Sequence, residues 1–376
     1  MPGLGETTAM LARLRKAATK ASSATAASGS LVETTAFGEN PGALRLLSYA
    51  PETLPAQAPL VVVLHGCTQT AEGHAVSGGW IALADRLGFA VLAPEQRAAN
   101  NPNRCFNWFE PGDTAPGRGE AASIAAMVAA MVREHDCDPR RVFITGLSAG
   151  GAMTAVMLAS YPELFAGGAI IAGLAHGVAR GVPDAPRVMG RGDGRAASAL
   201  GDLVRRGDAP RLRLTIWHGD ADHTVNVANA QDLARQWTAA TGLAEAPDEV
   251  GTTGARTRSV WRGGAGGSVV ELNIVHGLGH GTPLSTRGEG DVGQAAPYML
   301  EVGLSSTREV ARFWGLSEDR TTAESSSPRD KARPKPEAEA KPTGVAAQVL
   351  DAVSAHVPPE VRDVIAKALR AAGLMR

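Results

Sequence analysis

Serine, aspartate and histidine occur in this chain in an order and in settings that suit covalent attack on an acyl group. Ser148 stands in Gly146-Leu147-Ser148-Ala149-Gly150, directly after the apolar run Val142-Phe143-Ile144-Thr145. A serine presented on a sharp strand-to-helix turn needs small neighbours, because its backbone is strained and the flanking chain passes close by. Gly146 and Gly150 meet that need. Met153, Val156 and Met157 then continue at helical spacing, so strand, tight turn and helix follow in the order the pentapeptide requires. In a chain with 44 glycines the bare pentapeptide can arise by chance, and its flanks are what make it informative.

Such a serine needs a base to take its proton and an acid to orient that base. Two candidates for each follow it. The run Leu214-Thr215-Ile216-Trp217 ends in His218-Gly219-Asp220-Ala221-Asp222, and later Val275-His276-Gly277-Leu278-Gly279-His280-Gly281 places two histidines in a Gly-rich loop. Serine, acid, base is a known chain order for hydrolases on open α/β sheets, whose ligands bind at the carboxyl ends of the strands. On residue types alone Asp220 and Asp222, and His276 and His280, stay open, and the member of each pair outside the reaction would serve as a turn or cap.

A developing oxyanion needs two backbone N–H groups, one of them from the residue after the nucleophile, which is Ala149. The second is expected from the loop His65-Gly66-Cys67-Thr68-Gln69 after the apolar run at 61–64, at Cys67 with Thr68 as competitor. His65 precedes the serine and reads as a structural hydrogen-bonding residue. The segment Asn103-Arg104-Cys105-Phe106-Asn107-Trp108-Phe109 is aromatic in a chain with only 4% aromatics, and suggests a substrate wall. Gln69, Asn107 and Trp108 are the expected substrate contacts.

These loops require elements to hold them. Strand-like runs occur at Leu60–Leu64, Phe89–Ala93, Val142–Thr145, Gly168–Ala172, Leu212–Trp217 and Val269–Val275, several of them apolar at successive positions, which suits strands covered on both faces. Helical stretches alternate with them at Gly78–Leu87, Glu120–Glu134, Gly150–Ser160, Ala228–Thr241 and Ser306–Trp314. This order predicts an α/β fold with a mostly parallel central sheet and helices on both faces. Arg256–Trp261 and Ser268–Val275, separated by a glycine-rich stretch, can pair as a hairpin.

The expected organisation is a loose N-terminal arm (1–30), a catalytic domain (31–316), an extended linker rich in Ser, Pro, Lys and Glu (317–343) and an amphipathic helical tail (344–376) broken at Pro358-Pro359. Lysine plus arginine (37) nearly balances aspartate plus glutamate (38), so no field favours nucleic acid. No run of about 18 apolar residues predicts a transmembrane segment. No cysteine/histidine cluster has zinc spacing, so neither a metal nor an organic cofactor is expected. Cys137 reads as a small apolar residue.

Taken together, His65-Gly66-Cys67-Thr68-Gln69-Thr70, the Cys105–Phe109 loop, the Ser148 pentapeptide with Gly151-Ala152-Met153, His218-Gly219-x-x-Asp222 and Gly277-Leu278-Gly279-His280-Gly281-Thr282-Pro283-Leu284 resemble the poly(3-hydroxybutyrate) depolymerase family esterases. These are α/β-hydrolases related to feruloyl and acetylxylan esterases. The resemblance spans roughly Leu31 to Leu316. It implies Ser148 as nucleophile, Asp222 as acid and His280 as base, and a possible disulfide between Cys67 and Cys105. It further implies hydrolysis of poly(3-hydroxybutyrate) or its oligomers, with feruloyl or acetylxylan ester hydrolysis as the alternative.

No export signal or separate substrate-binding module is recognisable, so the expected location is the cytoplasm, and the tail at 344–376 could dock on a storage granule, on a partner or back on the core. Export, as in secreted relatives, is the alternative, and a disulfide would stand in tension with a reducing cytoplasm. From a different class comes the reading of a non-catalytic granule-associated interaction protein.

Overall fold

The structure, a computed structural model, describes residues 30–204, 213–264, 269–288 and 290–316. The expected N-terminal arm apart from Ser30, the linker at 317–343 and the helical tail at 344–376 lie outside the described residues. The strands are β1 (Val32–Thr34), β2 (Arg45–Tyr49), β3 (Leu60–Leu64), β4 (Ala90–Glu95), β5 (Val142–Leu147), β6 (Gly167–Ile171), β7 (Arg213–Gly219), β8 (Glu249–Thr253), β9 (Arg256–Arg262), β10 (Val269–Val275), β11 (Thr282–Leu284) and β12 (Met299–Glu301). The first ten form one sheet in the order β1-β2-β4-β3-β5-β6-β7-β10-β9-β8.

The run from β4 to β10 in that order is parallel throughout, and antiparallel strands close both edges. The expected hairpin forms between β9 and β10, and β10 is itself the last strand of the parallel set. The short edge strands β1, β2 and β8 were not expected. Every residue of β8 is exposed, so it carries none of the apolar signal by which a strand is recognised.

The helices are α1 (Ala71–Ser77), α2 (Trp80–Leu87), α3 (Pro111–Thr114), α4 (Gly119–Glu134), α5 (Ala149–Ser160), α6 (Asp184–Arg191), α7 (Ala197–Gly201), α8 (Ala228–Thr241) and α9 (Ser306–Trp314). The helix expected at Gly78–Leu87 starts at Trp80 as α2, and an unexpected helix, α1, precedes it. Thr70 caps α1 by accepting the Gly73 N–H, and Gly79, at φ 83°, turns the chain before α2 begins.

Alternation along the buried strands divides the apolar residues between two cores. Leu60, Val62, Leu64, Ile144 and Ile216 pack on one face with Met127 and Met131 of α4, Met153 and Met157 of α5, and Trp237 of α8. Val61, Val63, Phe143 and Ile171 pack on the other with Trp80 and Leu83 of α2 and Val310 and Trp314 of α9. Both faces are therefore covered, and α5 is buried at every position. No helix among the described residues is long and apolar enough to cross a membrane.

Candidate active site

Ser148 sits between β5 and α5 at φ 57° and ψ −116°, a region a side chain enters only when its surroundings hold it there. Its N–H donates to the Ile171 carbonyl at 2.9 Å. A Cβ on Gly146 would collide with the backbone of Gly150, and one on Gly150 with the Leu64 carbonyl of β3. The glycines are thus a requirement of close packing at the turn.

Ser148 Oγ lies 2.9 Å from His280 Nε2, and His280 Nδ1 lies 2.7 Å from Asp222 Oδ2. The three come from loops after β5, β7 and β10, which end on one edge of the sheet. Asp222 Oδ1 accepts the N–H groups of Thr224 and Val225, each at 2.8 Å. Burial works to raise the Asp222 pKa, but the hydrogen bond and charge of His280 and the Val225 N–H outweigh it and hold the carboxyl below its usual value. An ionised Asp222 accepts the Nδ1 proton, which leaves Nε2 unprotonated and able to accept from the serine hydroxyl.

The residues left over in each loop meet one another. His276 Nδ1 lies 2.8 Å from Asp220 Oδ2, and the Gly277 N–H donates to Asp220 Oδ1 at 2.7 Å. Asp220 is held below its usual pKa by that histidine and that N–H. His218 is buried with Nε2 2.8 Å from the Val225 carbonyl, and burial lowers its pKa. It therefore stays neutral beside Asp222.

Thr68 N–H donates to the Asn103 carbonyl at 2.7 Å and Gly66 N–H to Gln69 Oε1 at 2.8 Å, so neither is free for an oxyanion. The N–H groups of Cys67 and Ala149 have no hydrogen-bond acceptor among the described residues, and both residues line the cavity at Ser148. His65 donates from Nδ1 to the Gly66 carbonyl and accepts the Gln96 N–H at Nε2, and burial pushes its pKa down to about 4. A neutral, fully buried ring with both nitrogens engaged is structural, as its position suggested.

Cys67 and Cys105 are joined in a disulfide that ties the oxyanion loop to the aromatic segment, whereas Cys137 is a buried free thiol. The cavity holds about 280 Å3 and is lined by Trp108, Phe109, Leu174, Ala185, Met189 and Val225 together with Gln69, Asn103, Thr224, His280 and Tyr298. Among the described residues, no Lys, Arg, Asp or Glu lines it. Trp108 and Gln69, two of the expected substrate contacts, line it.

Asn107 does not. Its N–H donates to Glu120 Oε2 at 2.8 Å and its Oδ1 accepts from Asn101, so it holds the loop beneath the wall and leaves the cavity to its neighbours. Sequence reading also missed the far wall. Tyr298, at φ 66°, meets the His280 ring edge-on with centroids 6.2 Å apart, and Ala185 and Met189 come from α6. An irregular loop and a short helix carry no spacing that would have flagged them.

A strained serine at the edge of a mostly parallel, helix-covered sheet, with histidine and aspartate in line behind it, defines a serine hydrolase of the α/β-hydrolase class. A family model described as "Esterase PHB depolymerase" matches residues 45–261, and the chain belongs to that family. It is 43% identical over 291 residues to poly(3-hydroxyalkanoate) depolymerase C of Paucimonas lemoignei, covering 76% of this chain and 70% of that one. It is 33% identical over 232 residues to feruloyl esterase B of Neurospora crassa, covering 58% of this chain and 78% of that one. Among solved structures, the acetyl xylan esterase from Aspergillus awamori shares the fold with a TM-score of 0.65 at 24% identity, covering 77% of this chain and all (100%) of that one. The chain is a serine carboxylic ester hydrolase.

Proposed function

We propose that the protein hydrolyses poly(3-hydroxybutyrate) or its hydroxyalkanoate oligomers through an acyl-enzyme on Ser148. The observation that carries this is the unbroken line Ser148–His280–Asp222 opening into a cavity that no Lys, Arg, Asp or Glu lines among the described residues. His280 Nε2 takes the hydroxyl proton as Ser148 Oγ attacks the ester carbonyl, and the oxyanion forms between the N–H groups of Ala149 and Cys67. His280 then gives the proton to the leaving alcohol. Asp222 keeps the imidazole in the reactive tautomer and stabilises the imidazolium, and a water activated by the same histidine releases the acid.

The choice of polyester over plant-polysaccharide esters is supported by the 43% identity to a poly(3-hydroxyalkanoate) depolymerase, against 33% to a feruloyl esterase. A panel of polymers and esters, assayed with wild type and Ser148→Ala, tests both levels of the reading. Release of 3-hydroxybutyrate is expected from the wild type, with a loss on the order of a millionfold in the variant. Faster release of ferulate or acetate from matched substrates would favour the alternative esterase. A chain that fails to react with a fluorophosphonate would instead be a non-catalytic relative.

The Cys67–Cys105 disulfide supports work outside a reducing cytoplasm, and so favours export over the cytoplasmic location. Thiol trapping in intact cells should find Cys67 and Cys105 blocked as a disulfide. Granule docking through 344–376 is the competing reading, and unchanged granule association after deletion of residues 317–376 would remove it.

A further inference from the structure

Asp220 and His276 take no part in the proton path, yet they join the loop that carries Asp222 to the loop that carries His280. Asp220 forks: one carboxylate oxygen meets His276 Nδ1 at 2.8 Å and the other accepts the Gly277 N–H at 2.7 Å. On the far side of the imidazole, Thr257 Oγ1 of β9 lies 2.9 Å from His276 Nε2. The ring is thereby fixed at both nitrogens.

The base loop needs such a tether. Gly277, Gly279 and Gly281 alternate with Leu278 and His280, and Gly277 stands at φ 73°, so this stretch has more conformational freedom to lose than any ordinary loop of its length. Apart from the Asp222–His280 bond itself, its hydrogen bonds to the acid loop are the Asp220 N–H to the Val275 carbonyl at 3.3 Å, which is long, and the Ala221 N–H to the Leu278 carbonyl at 3.1 Å, of ordinary length. Two charge-assisted bonds from one carboxylate set direction as well as distance.

We propose that Asp220 and His276 are a positioning pair that holds the base loop in register against the acid loop, keeping His280 within reach of Ser148 and Asp222 together. The inference rests on the reading of Ser148, Asp222 and His280 as the reacting triad. Since a shift of about 1 Å at a reacting group can cost up to about a hundredfold, loosening the tether should cost kcat about tenfold and leave KM within about twofold.

The test is turnover per active site, with sites counted by fluorophosphonate titration. Asp220→Ala and His276→Ala should each show the loss in kcat, and the double variant should lose no more than Asp220→Ala alone, because one tether is removed once. His276→Asn places an amide N–H near the position of Nδ1 and should recover most of the turnover. A merely structural pair would lower the melting temperature and the titratable fraction and leave kcat per site alone. Unchanged kcat per site in both alanine variants, with His280→Ala inactive, would overturn the positioning role only. Near-normal turnover by His280→Ala would overturn the triad, and with it the positioning role.

Discussion

Two histidine–aspartate pairs join the same two loops of this molecule, and they differ in what surrounds them. Asp222 and His280 have side-chain exposures of 0% and 10%, whereas Asp220 and His276 have 39% and 49%. The contact distances are nearly equal, 2.7 and 2.8 Å. Distance therefore does not separate the pair that can do chemistry from the pair that cannot. Burial does: in a dry site the field of a carboxylate reaches its histidine unscreened, while water and salt weaken the same interaction at the surface. The buried aspartate also has its second oxygen satisfied by two backbone N–H groups, so it is held ionised and in place.

The contrast is broken first by substituting the acids. Asp222→Asn should lower kcat about ten-thousandfold, because an amide favours the wrong imidazole tautomer and gives no charge to the imidazolium. Asp220→Ala, at about tenfold, is three powers of ten milder by the same reasoning about position alone. Comparable losses in the two variants, measured as kcat per titrated site, would show that burial is not what distinguishes the pairs.

Both pairs depend on how closely the loops approach. A Cβ on Gly219 would collide with the Leu278 carbonyl, so the acid and base loops touch backbone to backbone at that point. Gly219→Ala should push them apart and cost about 1–3 kcal/mol of stability as an overpacked contact, read from denaturant unfolding. Loss of kcat per site should accompany it. A fully active Gly219→Ala protein would mean that the loops have slack, and that neither pair needs the other's register.

A third carboxylate sharpens the comparison. Glu120, fully buried, accepts from Gln96 and from the Asn107 N–H but faces no basic group in those bonds, and burial pushes its pKa up to about 8, with Asp113 adding to the rise. Asp222, with a histidine to receive its field, moves the other way. The sign follows: between the ordinary value of 4.5 and about 8 the folded state holds the proton and the unfolded state does not. Stability should thus fall as pH rises through that window, by at most about 1.4 kcal/mol per pH unit. Glu120→Gln should flatten that slope, and an unchanged slope in the variant would place the pH dependence elsewhere.

What the sequence made legible follows the same division between buried and exposed. The parallel strands were readable because both faces are covered and several runs are apolar at successive positions, as at Leu60–Leu64. The Ser148 turn was readable because close backbone packing there admits little but glycine. Edge strand β8, exposed at every residue, left no trace, and neither did Tyr298, which reaches the cavity from an irregular loop. Choosing Asp222 and His280 over their neighbours took a family resemblance, since residue types and spacing are the same for both pairs. The three-dimensional arrangement tells them apart, by burial and by the partner at Nε2, which is Ser148 for His280 and Thr257 for His276.

The finest test of that distinction uses salt. Raising ionic strength to about 1 M shortens the Debye length to about 3 Å, which screens exposed charges strongly and buried ones little. If Asp220–His276 positions the base loop partly through charge, wild-type kcat should drift down about twofold toward the Asp220→Ala value as salt rises. Asp220→Ala, having lost the exposed pair and kept the buried one, should show no such drift. The Gly277 N–H bond to Asp220 survives screening, so the wild type should not fall all the way. An equal salt response in both proteins would assign the drift to substrate or to other surface charges and would leave the exposed pair acting through hydrogen-bond geometry alone.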